Sequence, residues 1–199
     1  MATRLRHRLL SAAALTAAGA LLVTGCAQSQ RDGGGSGGSG GGDAAQVDGS
    51  FIFAASSDPK TLDPAFASDG ETFRVSRQIF EGLVEVEEGS SEIGPGLAEK
   101  WEPSEDGKTW TFTLREGVKF SDGETLDAQA VCDNFERMAD QNETAQAGPA
   151  EYWAYSMEGF GDDSLYRSCE ASDDQTVVLK IARATSKFPA MLSLSAFAM

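Results

Sequence analysis

Three cysteines and one histidine carry most of the reactive chemistry in this 199-residue sequence. The histidine, His7, lies beside Arg4, Arg6 and Arg8 at the start of the chain, and Cys26 follows an apolar run. A leader ending before Cys26 would take the histidine with it. A Ser-His-Asp triad, a Cys-His pair and a His-ligated zinc site are then excluded within the remaining chain. Cys132 and Cys169 form an even pair, which reads as a disulfide in an exported protein, with two free buried thiols as the alternative. Such a bridge closes a loop of about 38 residues, worth roughly 4 kcal/mol in the chain-entropy account. Asp162-Asp163 and Asp173-Asp174 lack the D-x-D-x-D-G spacing of a calcium loop and read as a solvated acidic face. No cofactor and no metal is expected.

The leader has three parts. Arg4, Arg6 and Arg8 give a basic start, and Leu9 to Val23 is uncharged and apolar. That run is shorter than the roughly 20 apolar residues of a membrane span and fits a secretory signal. Val23-Thr24-Gly25-Cys26 resembles the bacterial lipobox, where cleavage precedes a cysteine whose thiol carries a diacylglycerol. Lipidation is therefore expected at Cys26. Gly33 to Gly42 is nearly pure Gly and Ser and cannot bury enough apolar surface to fold. About 20 residues of such coil reach roughly 25 Å, enough for a tether between lipid and folded domain.

The formal charge of the whole chain is −15, from 16 basic and 31 acidic residues. Loss of three leader arginines and no acid takes it further negative. Nucleic acid, whose phosphates need Lys and Arg, is excluded as a partner.

The folded part must come from the residues beyond the tether. Ser50 to Ala54 reads as a short buried strand. Asp58-Pro59 and Asp63-Pro64 enforce extended or turn geometry. Ser68-Asp69-Gly70-Glu71 has the S-x-x-E form of a capping box. The helix it opens places Phe73, Arg77, Phe80 and Val84 near one stripe and ends at Gly82. Val84 to Val86 comes next as a strand. Trp110, Phe112 and Leu114 alternate with threonines, a half-buried strand between the turn pairs Asp106-Gly107 and Asp122-Gly123. Asp127 caps a helix carrying Val131, Phe135 and Met138. Gln141 to Ser172 is polar and glycine-rich, and Trp153 and Tyr155 read as packing a local core. Thr176 to Ile181 is a strand. The chain then stops within an apolar segment, LSLSAFAM, as a fragment of a longer protein would.

Four stretches, in order, resemble one family: Thr61-Leu62-Asp63-Pro64; Ile79-Phe80-Glu81-Gly82-Leu83-Val84; Gly96-Leu97-Ala98-Glu99-Lys100-Trp101; and the run from Ser104 through WTFTLREGVKFSDG to Gly123. They are similar to the extracellular solute-binding proteins of family 5, which serve peptide-type ABC importers and bind oligopeptides, dipeptides and some nickel or sugar ligands. The lipoprotein signal and Cys132–Cys169 pair resemble an actinobacterial branch. Family members are longer, so the likeness concerns an N-terminal portion.

The resemblance implies an α/β, two-lobed, periplasmic-binding-protein-like fold of type II, peptide-binding class. It implies a signal peptide (1–25), a tether (26–47), the start of lobe I (48–83), an inserted smaller domain (84–175) and a truncated return into lobe I (176–199). It implies ligand contact at Ser68, Asp69, Gly70 and Glu71, whose backbone would meet an extended peptide as an added strand does. Gly70 would permit close approach, and the helix start would favour a carboxylate. Arg115 and Lys119 read as structural. The implied function is capture of oligopeptides at the outer face of the cytoplasmic membrane and delivery to an ABC permease with its ATPase, by a lipid-anchored monomer without catalysis. The alternatives are a peptide or pheromone sensor on the same fold, and a member binding a nickel chelate or sugar.

Overall fold

The computed structural model describes residues 52–199. The alternating Trp110, Phe112 and Leu114 are buried in strand β4 (Thr109–Leu114), with the threonines between them half-buried. Strand β6 (Thr176–Ile181) repeats the pattern with Val177, Leu179 and Ile181. The two pair antiparallel, with Phe112 opposite Val177 and Trp110 opposite Leu179, so one face of each joins one apolar layer. Strand β3 (Ala98–Pro103) pairs with β4, and strand β5 (Tyr166–Asp173) pairs with β6. The sheet is antiparallel with order β3-β4-β6-β5. The hairpin turn between β5 and β6 spans the boundary expected at 175/176, so strands on its two sides share one sheet.

Helix α2 (Ala128–Ala139) packs against that sheet with Val131, Cys132, Phe135 and Met138 inward. Asp127 caps it, its Oδ1 accepting the Ala130 N–H at 2.8 Å. Cys132 and Cys169 are joined by a disulfide between α2 and β5, with Cα atoms 5.2 Å apart.

A second, two-stranded sheet joins β1 (Val84–Val86) to β2 (Ile93–Pro95). Gly82 and Leu83 carbonyls accept the Leu97 and Ala98 N–H groups, each at 2.9 Å. The approach is close: a Cβ on Gly96 would lie 2.4 Å from the Gly82 oxygen. Glu81 and Met199 exchange two backbone hydrogen bonds, at 3.2 and 2.9 Å.

Several expectations need correction. Ile52 to Ala54 form no strand, and Ile52 is 99% exposed. A strand needs a ladder partner, and no described segment pairs with this one. Helix α1 is Gly70–Ser76 and ends well before Gly82. Its last turn tightens to i→i−3 bonds, Gln78 to Val75 and Ile79 to Ser76, which closes it off. The cap is Asp69, not Ser68. After β4, Lys119 and Thr125 form a single antiparallel bridge. The polar stretch 141–172 holds helices α3 (Glu143–Gln146) and α4 (Glu151–Ser156) and most of β5. The two aromatic residues expected to pack a local core divide: Trp153 is buried, whereas Tyr155 is 87% exposed. Helix α5 (Phe188–Leu192) and a 3-10 turn (Ser195–Phe197) close the described chain.

Candidate functional site

The segment around Ser68-Asp69-Gly70-Glu71 is held by its own hydrogen bonds. Asp69 Oδ1 accepts the N–H groups of Glu71 (3.2 Å) and Thr72 (3.0 Å), and Oδ2 accepts the Thr72 hydroxyl (2.9 Å). Lys60 closes the ring: its N–H donates to Thr72 Oγ1 at 3.0 Å and its ammonium lies 3.6 Å from Asp69. These bonds from Thr72, then the Lys60 charge, hold the Asp69 carboxyl below its ordinary pKa. Glu71 is held low by Arg74 first and then by the Ser56 hydroxyl.

This wiring bears on what the segment can bind. The Glu71 and Thr72 N–H donors at the helix start are occupied by Asp69. A ligand carboxylate would meet two carboxylates there, so the helix start is not available as its partner. Ser68 and Gly70 are exposed, and a Cβ on Gly70 would meet nothing within 4 Å. The space beside the Gly70 Cα is open, while the Asp69 carbonyl already accepts the Phe73 N–H at 3.1 Å.

A separate cleft of about 530 Å³ opens at the far end of α1. Phe73, Arg77, Phe80 and Val84, the stripe expected from the sequence, all line it, although the helix stops at Ser76. Tyr152 and Leu194 complete the wall. Phe73 and Tyr152 meet edge-on at 5.0 Å, and Arg77 Nε donates to Ser195 Oγ at 2.9 Å. None of residues 68–71 lines this cleft. Tyr152 and Leu194 carried no sequence signal for it, because they reach it from distant parts of the chain.

The other residues singled out fall elsewhere. Arg115 pairs with Glu81 at 3.5 Å, and the Lys119 ammonium donates to the Gly123 carbonyl at 3.5 Å. Asp173 accepts the Gln175 N–H in the β5–β6 turn, and Asp162, Asp163 and Asp174 are exposed. Among the described residues no three His, Cys, Asp or Glu side chains are grouped to hold a metal. Cys26, the leader and the tether lie outside the described residues.

Residues 92–199 match the family model of bacterial extracellular solute-binding proteins, family 5 (middle). The chain belongs to this family. The dipeptide-binding protein of Escherichia coli K12 is 35% identical over 155 residues, covering 73% of this chain and 28% of that protein. The nickel-binding periplasmic protein of the same organism is 45% identical over 82 residues, covering 41% of this chain and 15% of that protein. Among solved structures, the ABC transporter-associated periplasmic binding protein DppA of Helicobacter pylori, in complex with peptide STSA, superposes with a TM-score of 0.61 at 29% identity. That match covers 71% of this chain and 29% of the other. The chain thus spans under a third of the length of these relatives, and its α/β fold is the corresponding part of a periplasmic peptide-binding fold.

Proposed function

We propose that this protein is the solute-binding component of a peptide importer. It would capture oligopeptides outside the cell and hand them to an ABC permease whose ATPase supplies the energy. The observation that carries this reading is the family 5 match, supported by relatives solved in complex with peptides, STSA in one and Met-Leu in another. Capture needs no bond-making. Affinity would come from main-chain hydrogen bonds to an extended peptide and from closure of two lobes, with this chain supplying the first part.

Within the described residues, Ser68, Asp69, Gly70 and Glu71 are the proposed peptide-facing edge, with Ser68 and Gly70 its exposed members. The occupied helix start argues that a peptide meets it through main-chain groups rather than through its C-terminal carboxylate. Cys26 is the proposed lipid attachment, with residues 26–47 as a slack tether at the outer face of the cytoplasmic membrane. The lobe division at 83/84 belongs to the same proposal, and so does the one at 175/176, which would have to pass through the turn between the paired strands β5 and β6.

Native mass spectrometry of the gently purified full-length protein tests it. A ladder of added masses matching short peptides, lost on denaturation, is the expected result. One discrete added mass would replace peptide capture with a dedicated ligand. The nickel-binding relative makes a metal chelate the second reading.

A further inference from the structure

Where α2 gives way to α3 the chain reads Asp140-Gln141-Asn142-Glu143-Thr144. Asn-x-Thr, with x other than proline, is the acceptor pattern for an N-linked sugar. The sequence holds two asparagines, and they differ in this respect. Asn134 is followed by Phe135 and Glu136, so it lacks the hydroxyl two residues on, and its Nδ2 is buried. Asn142 has Thr144 at that spacing.

A folded protein can be modified only where the acceptor stretch is reachable. Asn142, Glu143 and Thr144 are all exposed, and so is Asp140, two residues before the asparagine. With Ala145 and Pro149, the three motif residues line a surface hollow of about 700 Å³. None of them lines the cleft at the far end of α1. Asn142 Oδ1 accepts the Ala145 N–H at 3.0 Å. That bond holds the side chain by its oxygen. It leaves the amide nitrogen, the atom that takes a sugar, uncommitted by the cap. The backbone behind it is a single short helix, Glu143–Gln146, so a bulky substituent at Asn142 displaces no sheet or core element.

We propose that Asn142 is the acceptor of an N-linked oligosaccharide, added outside the cytoplasmic membrane. The donor is an oligosaccharide joined through diphosphate to a membrane polyprenol, and a transferase catalyses the step. Asn142 Nδ2 forms a bond to the anomeric carbon. The bond from that carbon to the phosphate oxygen breaks, and the diphosphate leaves with the electron pair. One amide proton passes to a base of the transferase. Asp140 supplies an anionic flank that a basic groove on the transferase can grip. The site rests on export of the chain and is independent of peptide capture.

Peptide mapping by mass spectrometry tests this on the full-length protein purified from the cells that make it. Trypsin releases Met138–Arg167 as one piece, since no Lys or Arg lies between Arg137 and Arg167. That piece is expected to carry added sugar masses, located at Asn142 by fragmentation. Thr144→Ser should keep them, Thr144→Ala and Asn142→Gln should abolish them, and Asp140→Ala should lower the occupied fraction. Peptide affinity should be the same in all four variants. A bare Met138–Arg167 in protein whose leader has been removed would overturn the acceptor alone. A retained leader would overturn export and the acceptor with it. Sugar that persists in Asn142→Gln would overturn the assignment by placing it on another residue.

Discussion

Arg137 grips Asp63 with two prongs, Nη1 to Oδ2 at 2.8 Å and Nη2 to Oδ1 at 3.4 Å, across 74 residues of sequence. The same carboxylate accepts the Ala65 N–H at 3.0 Å and starts the 3-10 turn Pro64–Phe66. Asn134, one turn back on α2, accepts from Arg137 Nη2 at 3.1 Å. The loop leading to Ser68–Glu71 is thereby fastened to the helix that covers the main sheet.

Arg137→Ala should free that loop more than it destabilises the fold. The pair is partly exposed, so the stability loss should be no more than about 1 kcal/mol. Hydrogen exchange should quicken at residues 61–72 while β4 and β6 stay protected. Exchange rising equally over the sheet would mean that the pair supports the whole fold instead.

Gly96→Ala should be costly. The added Cβ meets the Gly82 and Leu83 carbonyl oxygens at 2.4 and 3.1 Å. Those carbonyls accept the N–H groups of Leu97 and Ala98, so relief of the clash must loosen the junction between the two sheets. A loss of about 1–3 kcal/mol is expected from such overpacking, read from the midpoint of urea unfolding. An unchanged midpoint would show that the junction yields freely.

Gly70→Ala makes the opposite case. Nothing lies within 4 Å of the new Cβ, and alanine is the better helix former, so stability should hold or rise slightly. If a peptide main chain pairs along residues 68–71, the methyl group stands in its path. Peptide affinity should then fall about tenfold while the unfolding midpoint does not fall. Unchanged affinity would remove this edge from the peptide site.

The alternation in Thr109–Leu114 and Thr176–Ile181 was legible because these strands lie side by side in the middle of the sheet and bury one face each. The edge strands hid. Glu99, Lys100, Glu102 and Pro103 leave β3 with one buried residue, Ala98. The β5 register shifts twice, at 166/168 and 171/173, which breaks its period of two. The error at Ile52–Phe53 has the converse cause: an apolar run signals a strand, but only a partner makes one. Residues 68–71 came to notice through family likeness, whereas the wall made by Tyr152 and Leu194 depends on tertiary packing that no local pattern encodes.

The Asp69 cap should show in acid. Its folded pKa lies below the ordinary 3.8, so folding favours the ionised form. That contribution is complete above the unfolded value and is lost as pH falls through the lower folded value. Asp69→Asn keeps a capping side chain but does not titrate. Exchange at the Glu71 and Thr72 amides should accelerate in acid in the parent, beyond the intrinsic pH dependence, and this excess should vanish in the variant. The same excess in both would assign the acid sensitivity to another group, Glu71 being the first to test.

The Cys132–Cys169 bond joins residues 37 apart and fastens α2 to edge strand β5, which has only β6 as a ladder neighbour among the described residues. Closing a loop of that length restricts the unfolded chain, and in the entropic account its loss costs about 4 kcal/mol. Cys132 is buried against the core, so alanine is a better replacement than a hydroxyl-bearing residue. Cys132→Ala/Cys169→Ala should therefore lower the urea midpoint, and reduction of the parent should lower it in the same direction. Because the bond joins α2 to β5, exchange in the variant should rise first where these two elements face each other. A variant with the parent's midpoint would show that α2 and β5 hold together by packing alone, and that the cross-link contributes nothing measurable to folding.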